Sequence, residues 1–214
     1  MQKIAIIDYG VGNLFSLASS LRHLGVANSV TRDAEEIRAA DRIILPGVGA
    51  FGDAMAKLRD TGLIPVLDEQ AAAGKPLLGI CLGMQMLLEK SYEYGEHAGL
   101  GYIHGEVRPL AEAIRLAGLS LKVPHMGWNS LRIARPHPIL QYTKPGCYVY
   151  FVHSYYATDC GDALVADTGY TAPGTDRGVA VPAIVAAGNV VGCQFHPEKS
   201  GTVGLDMLRA FAEM

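Results

Sequence analysis

Short apolar runs alternate with helix-period stretches along the first ninety residues. Lys3–Ile7, Asn28–Thr31, Arg42–Leu45 and Pro76–Ile80 read as strands. Between them, Leu14–Leu24 repeats its apolar positions at helical spacing and stops at Gly25. Asp33 is placed to cap a second helix, and Leu63–Ala73 ends at Gly74. Strand–helix alternation of this kind predicts an α/β, doubly wound fold, a mostly parallel sheet flanked by helices. Ligands in such folds lie beyond the carboxyl ends of the strands. The glycine-rich turns of this chain fall there.

Past Lys90 the pattern changes to strands and irregular loops. Cys147–Ala157 is rich in aromatic and β-branched residues, and Ala183–Phe195 reads as an added antiparallel hairpin turning at Gly188-Asn189. Thr202–Glu213 closes the chain as a helix. The glycine and proline content of Cys160–Val181 predicts a surface loop. With no linker, repeat or low-complexity segment, residues 1–214 are expected to form a single domain.

Composition narrows the function classes. Of 214 residues half are hydrophobic and 18% charged, enough for a sizeable core. A net charge of −3 and the lack of any basic run argue against nucleic acid as a partner. The longest stretch without Asp, Glu, Lys or Arg, Gly178–Pro197, has the length of a membrane span. Pro182, Gly188, Asn189, Gln194 and His196 interrupt it, so it reads as buried strands with a turn and no membrane association is expected. No charged leader with an apolar signal core precedes the first strand, which predicts a cytoplasmic protein. Cys81, Cys147, Cys160 and Cys193 form no C-x-x-C pair, so no metal site is expected, and three of them read as small buried hydrophobes.

The fourth, Cys81, sits where an apolar strand runs into Gly79-Ile80-Cys81-Leu82-Gly83 and then a helix. G-x-C-x-G is the nucleophile-elbow pattern with sulfur in place of oxygen. The glycines let strand and helix pack closely, Cys81 projects at a helix N-terminus whose dipole favours an anion, and the Leu82 amide can donate to an oxyanion. An isolated G-x-C-x-G is as compatible with a buried structural cysteine. His196 and Glu198, two apart after a strand, fall on one side of an extended backbone. A carboxylate beside an imidazole fixes its tautomer and stabilises its protonated form, so the two read as general base and orienter. Gly47-Val48-Gly49-Ala50-Phe51-Gly52 matches G-x-G-x-x-G, but Asp68, the acid about twenty residues on, lies in a helical stretch. The turn therefore reads as a source of backbone amides for an oxyanion, and no cofactor is expected.

G-I-C-L-G-M-Q at 79–85, P-G-V-G-A-F at 46–51 and F-H-P-E-K-S at 195–200 resemble the class I glutamine amidotransferases. Asp8-Tyr9-Gly10-Val11-Gly12-Asn13-Leu14 and Pro124-His125-Met126-Gly127-Trp128-Asn129 are similar to the branch of that family that supplies imidazole glycerol phosphate synthases in histidine biosynthesis. The resemblance implies a flavodoxin-like glutaminase hydrolysing L-glutamine through a γ-glutamyl thioester. It gives Cys81 as nucleophile, His196 as proton shuttle and Glu198 as orienter, with Gly47, Val48 and Leu82 as oxyanion donors. It implies Gly49, Gln85, Ser154 and Tyr155 on the glutamine. It also implies a heterodimer with a cyclase subunit that consumes the ammonia, with Asp8–Asn13 and Pro124–Asn129 near the interface and Trp128 as an aromatic anchor. A glutaminase serving a different synthase, a cysteine peptidase on a similar fold and a catalytically silent partner protein remain as alternatives.

Overall fold

The computed structural model describes residues 3–214. Its first half builds β1 (Lys3–Ile7), α1 (Leu14–His23), β2 (Ala27–Thr31), α2 (Ala34–Ala39), β3 (Arg42–Gly47), α3 (Phe51–Asp60), α4 (Ile64–Ala72), β4 (Leu77–Cys81) and α5 (Leu82–Met86). The second half adds β5 (Lys90–Ser91), β6 (His97–Ala98), β7 (Glu106–Pro109), α6 (Leu110–Leu116), β8 (His125–Ser130), β9 (Arg132–Ile133), β10 (Tyr148–His153) and β11 (Tyr155–Thr158). It ends with β12 (Leu164–Thr171), β13 (Gly178–Ala187), β14 (Val190–Cys193) and α7 (Gly201–Glu213).

Eight strands form the central sheet in the order β2-β1-β3-β4-β14-β13-β12-β9. The first five are mutually parallel, and β13, β12 and β9 extend the sheet antiparallel. Strand alternation sorts the apolar residues onto two faces. Ala5, Ile7, Ile43, Leu45 and Leu77 pack under α2 to α5, whereas Ile4, Ile6, Ile44, Leu78 and Ile80 pack under α1 and α7. Parallel strands covered on both faces read as near-continuous apolar runs, which is why the strands of the first half are legible from sequence.

The second helix starts where its capping chemistry puts it. The Asp33 carboxylate accepts the Glu36 amide at 2.8 Å and caps α2. Two helices went unrecognised. Phe51, Ala54, Met55 and Leu58 bury the face of α3 at helical spacing, and α6 is anchored only by Leu110 and Ile114 in a region expected to hold strands and loops.

The expectation of a surface loop over Cys160–Val181 is corrected. After a short 3-10 turn at Gly161–Ala163 the segment forms β12 and enters β13, and only residues 172–177 make an exposed turn. Val165, Ala166 and Thr168 point inward, while Pro182 pairs with Asp167 next to a register shift, where a missing amide is tolerated. Glycine and proline here mark an irregular strand pair, and that cannot be distinguished from a loop by composition.

Candidate active site

Three parallel strand ends converge on one cavity. β4 ends at Cys81, which adopts φ 56° and ψ −110° between strand and helix. That left-handed backbone costs about 1–3 kcal/mol for a non-glycine residue and is held only by its surroundings. The flanking glycines show what holds it. A Cβ on Gly83 would lie 1.9 Å from the Leu45 carbonyl oxygen of β3, and one on Gly79 would lie 2.7 Å from the Gly83 oxygen. The elbow is thus wedged between its own helix and the neighbouring strand.

Three residues beyond β14, His196 caps a 3-10 turn that carries Glu198. His196 Nδ1 lies 2.9 Å from Glu198 Oε1, and both side chains are almost fully buried. The turn is clipped in place. Ser200 Oγ donates to the His196 carbonyl at 2.7 Å and accepts the Tyr150 amide at 3.0 Å, and the His196 amide donates to the Tyr150 carbonyl at 3.0 Å. Burial opposes charge on the His196 ring. Its hydrogen bonds to Cys81 and Glu198 outweigh that, and its pKa is pushed up to about 10. Below that pH an imidazolium therefore faces the sulfur. The Asn13 carboxamide also donates to Glu198 Oε1, at 3.4 Å, tying the loop after β1 to this carboxylate.

A cavity of about 370 Å³ opens over Cys81 and is lined by Val48, Gly49, Leu82, Gln85, Ser154, Tyr155 and His196 among others. That is a size suited to a small ligand. Gly47 and Glu198 do not line this cavity. Gly47 pairs with Cys81 at the end of β3 and, with Asn13 and Glu198, lines a void of only about 10 Å³ behind the cavity. Phe151 is buried core, whereas Tyr155 is half-buried against the cavity. Gln85 Nε2 donates to the Tyr155 carbonyl at 3.0 Å and to Gln194 Oε1 at 2.9 Å, and Gln194 Nε2 reaches Cys81 Sγ at 3.8 Å.

Among the other cysteines, burial pushes the Cys193 thiol well up and raises that of Cys160 to about 11, while Cys147 is only half-buried. No group of three or more His, Cys, Asp or Glu side chains is clustered to hold a metal among the described residues, and no helix there is long and apolar enough to cross a membrane.

The sequence from residue 5 to 214 matches the family model for glutamine amidotransferase class-I. The chain is 51% identical to the imidazole glycerol phosphate synthase subunit HisH of Lactococcus lactis subsp. lactis (strain IL1403), an alignment covering 100% of this chain and 99% of that protein. It is 50% identical to the subunit of the same name from Bacillus cereus (strain G9842), over 97% and 93% of the two chains. The chain belongs to the class-I glutamine amidotransferase family. A solved structure described as PurLQS from Thermotoga maritima shares the fold at a TM-score of 0.72 with 20% identity, over 99% of this chain and 98% of that one.

As a glutamine amidotransferase the chain presents cavity residues that motif reading passed over. Glu93 is a buried carboxylate that accepts the Phe51 amide at 2.5 Å, at the start of α3, and burial raises its pKa above the ordinary glutamate value. It thereby places a carboxylate at the helix start where the G-x-G-x-x-G reading would put a pyrophosphate. Pro124, Val152, His153 and Lys199 complete the lining. No sequence signal marked Glu93, because it lies in the irregular stretch Tyr92–Glu96 and reaches the cavity through packing alone.

Replacing Glu198 with Gln keeps the ring's neighbour but removes its charge. The glutaminase rate is expected to fall, by roughly a hundredfold less than on loss of the nucleophile. Steady-state ammonia release checks this, and an unchanged rate would assign Glu198 a purely structural role.

Proposed function

We propose that this chain is the cytoplasmic glutaminase subunit of an imidazole glycerol phosphate synthase, acting as one catalytic domain. The observation that carries the reading is a strained, glycine-wedged Cys81 that shares one small-ligand cavity with a histidine held from behind by Glu198. The full-length relatives supply the choice of synthase.

Glutamine enters with its side-chain amide over Cys81. The sulfur attacks the amide carbon and the carbonyl oxygen becomes an oxyanion within reach of the Leu82 amide and the Gly47-Val48-Gly49 turn. His196 passes its proton to the leaving nitrogen, so that ammonia departs and a γ-glutamyl thioester remains. Water, deprotonated by His196, then cleaves the thioester to glutamate. At the other end, Glu93 is the carboxylate available to the α-ammonium, while Ser154 and Tyr155 flank the amino-acid end. Gln85, held by the Tyr155 carbonyl and Gln194, sits with its carboxamide against the cavity.

The ammonia consumer is proposed to be a cyclase subunit docked over the cavity mouth as a heterodimer. Exposed apolar side chains lie on β8, with Met126 at 61% and Trp128 at 52% exposure; β8 pairs with β10, whose Val152 and His153 line the cavity, and Val48 lines the cavity itself. Exposed aromatic and apolar residues on a strand next to the cavity wall suit a protein partner.

Glutamine hydrolysis by the chain alone and with the cyclase is the deciding measurement. Weak activity alone and stimulation of at least roughly 5–150-fold are expected. Trp128→Ala is expected to lower the stimulated rate more than the basal one. Full activity from the isolated chain, indifferent to the cyclase, overturns the coupling.

A further inference from the structure

Next to the cavity lies a chain of polar contacts that two neutral histidines cannot satisfy. Asn129 Nδ2 donates to the Gly169 carbonyl at 3.0 Å, and Asn129 Oδ1 lies 2.8 Å from His125 Nε2. His125 Nδ1 lies 3.0 Å from His153 Nε2, and His153 Nδ1 lies 2.9 Å from the Tyr155 carbonyl. Both ends of this chain are carbonyl oxygens, which only accept. The four contacts therefore need four hydrogens along the line. A neutral Asn places one on it and each neutral His one, which makes three. Flipping the Asn129 amide only moves the conflict to Gly169, and switching either tautomer moves it to another contact. One additional proton on the two rings completes every link.

We propose that His125 and His153 share one extra proton and that this bridged pair positions the Tyr155 carbonyl, and with it the Ser154–Tyr155 wall of the glutamine pocket. The positioning half rests on the glutaminase reading above; the proton count does not. His153 lines the cavity itself, and the Tyr155 carbonyl it holds also accepts from Gln85. His125 is stacked between Phe151 of β10, at 5.0 Å, and Tyr170 of β12, at 4.1 Å, faces that suit a delocalised cation. Loss of the proton leaves two lone pairs opposed at one contact, so the link between β8 and the pocket wall opens there.

Burial opposes charge on both rings, so the hydrogen-bond chain must hold the shared proton against desolvation, and a second proton is excluded. Burial lowers the His125 pKa, against a hydrogen bond from Asn129 that raises it. Burial, with positive charge on His125 and His196, holds His153 at about 3. The titratable groups nearest the pair are His196, after β14, and Tyr170, on β12; Cys81, Tyr155 and Lys199 line the same cavity as His153. His196 stays charged to about pH 10 and burial raises Tyr170, so neither changes state across the neutral range. Glu93 shares the cavity, and no carboxylate is hydrogen-bonded to either ring among the described residues.

The test uses the full-length chain with ¹⁵N-labelled histidine, followed by NMR from about pH 5.5 to 8.5. Signals of the pair are assigned with His153→Gln. Three of the pair's four ring nitrogens are expected to carry hydrogen at the acid end, with one hydrogen lying between the rings. In Asn129→Ala the chain loses its far end, two hydrogens suffice, and the pair is expected to be neutral throughout. Ammonia release from glutamine supplies the second readout. KM is expected to rise about three- to tenfold, with kcat changing less, over the pH range where the shared proton leaves, and to lose that step in Asn129→Ala. Two singly protonated rings at every pH in the unsubstituted chain would overturn the shared proton. A KM that ignores the loss of the signal would overturn the positioning role. A chain that releases no ammonia from glutamine would overturn the glutaminase reading and the positioning role with it, while the proton count still stands or falls by the spectra.

Discussion

Cys81→Ala is expected to remove glutamine hydrolysis, by four or more orders of magnitude, because His196 and Glu198 are then left with nothing to activate. The fold should survive the change, since alanine is smaller than cysteine and Cys81 already occupies its strained φ of 56°. Free ammonium should still support the synthase reaction of the assembled enzyme, which separates loss of the nucleophile from loss of the complex. A glutamine-like electrophile should label Cys81 and spare Cys193 and Cys160, whose thiols burial holds in the protonated state. Mass spectrometry of the labelled chain reads the site directly. Modification at another cysteine, or an active alanine variant, would remove the assignment.

His196→Ala is expected to cost nearly as much, and the double variant with Cys81→Ala little more than either alone, because the members of such a triad act as a unit. The raised pKa of His196 also sets the alkaline side of the activity profile. The ring must be protonated to hand a proton to the departing nitrogen, so kcat/KM should decline as pH rises through about 10. The same shift has a thermodynamic consequence. A folded pKa near 10 against an ordinary value of 6.5 means that the ring's contribution to stability is full below about pH 6.5 and is lost by about pH 10. Chemical denaturation of the parent and His196→Ala chains across that range measures it. The gap between them should shrink as pH rises, and a constant gap would show that the ring takes up no proton on folding.

Much of this site was legible because its chemistry is encoded locally. G-x-C-x-G carries its own backbone argument, and the structure supplies the atoms: the Leu45 carbonyl leaves no room for a Cβ at 83. His196 and Glu198 are two residues apart and meet at 2.9 Å through one short turn. Gln85 was legible as a pocket residue from its place one helical turn beyond Cys81, whereas Ser154 and Tyr155 were legible only through resemblance. Glu93, Gln194 and the His125–His153 pair were not legible as site residues, because each reaches its place through contacts between elements distant in sequence, such as Gln194 with Gln85 across 109 residues.

What the sequence determined by itself was therefore the periodic part. Buried parallel strands read as apolar runs, amphipathic helices repeat every 3.6 residues, and a sharp strand-to-helix turn demands glycine at fixed offsets. Those are short-range constraints, satisfied within a few residues of where they are written. The tertiary structure decided the rest. It turned Cys160–Val181 into an irregular strand pair rather than a loop, and it brought β4 and β14 side by side so that Cys81 meets His196. It also enclosed two histidines among carbonyl oxygens and aromatic faces. The physical reason is common to all three. Strand pairing, burial and the protonation of a buried group depend on which surfaces exclude water together, and that follows from the packed arrangement of whole elements rather than from any one segment.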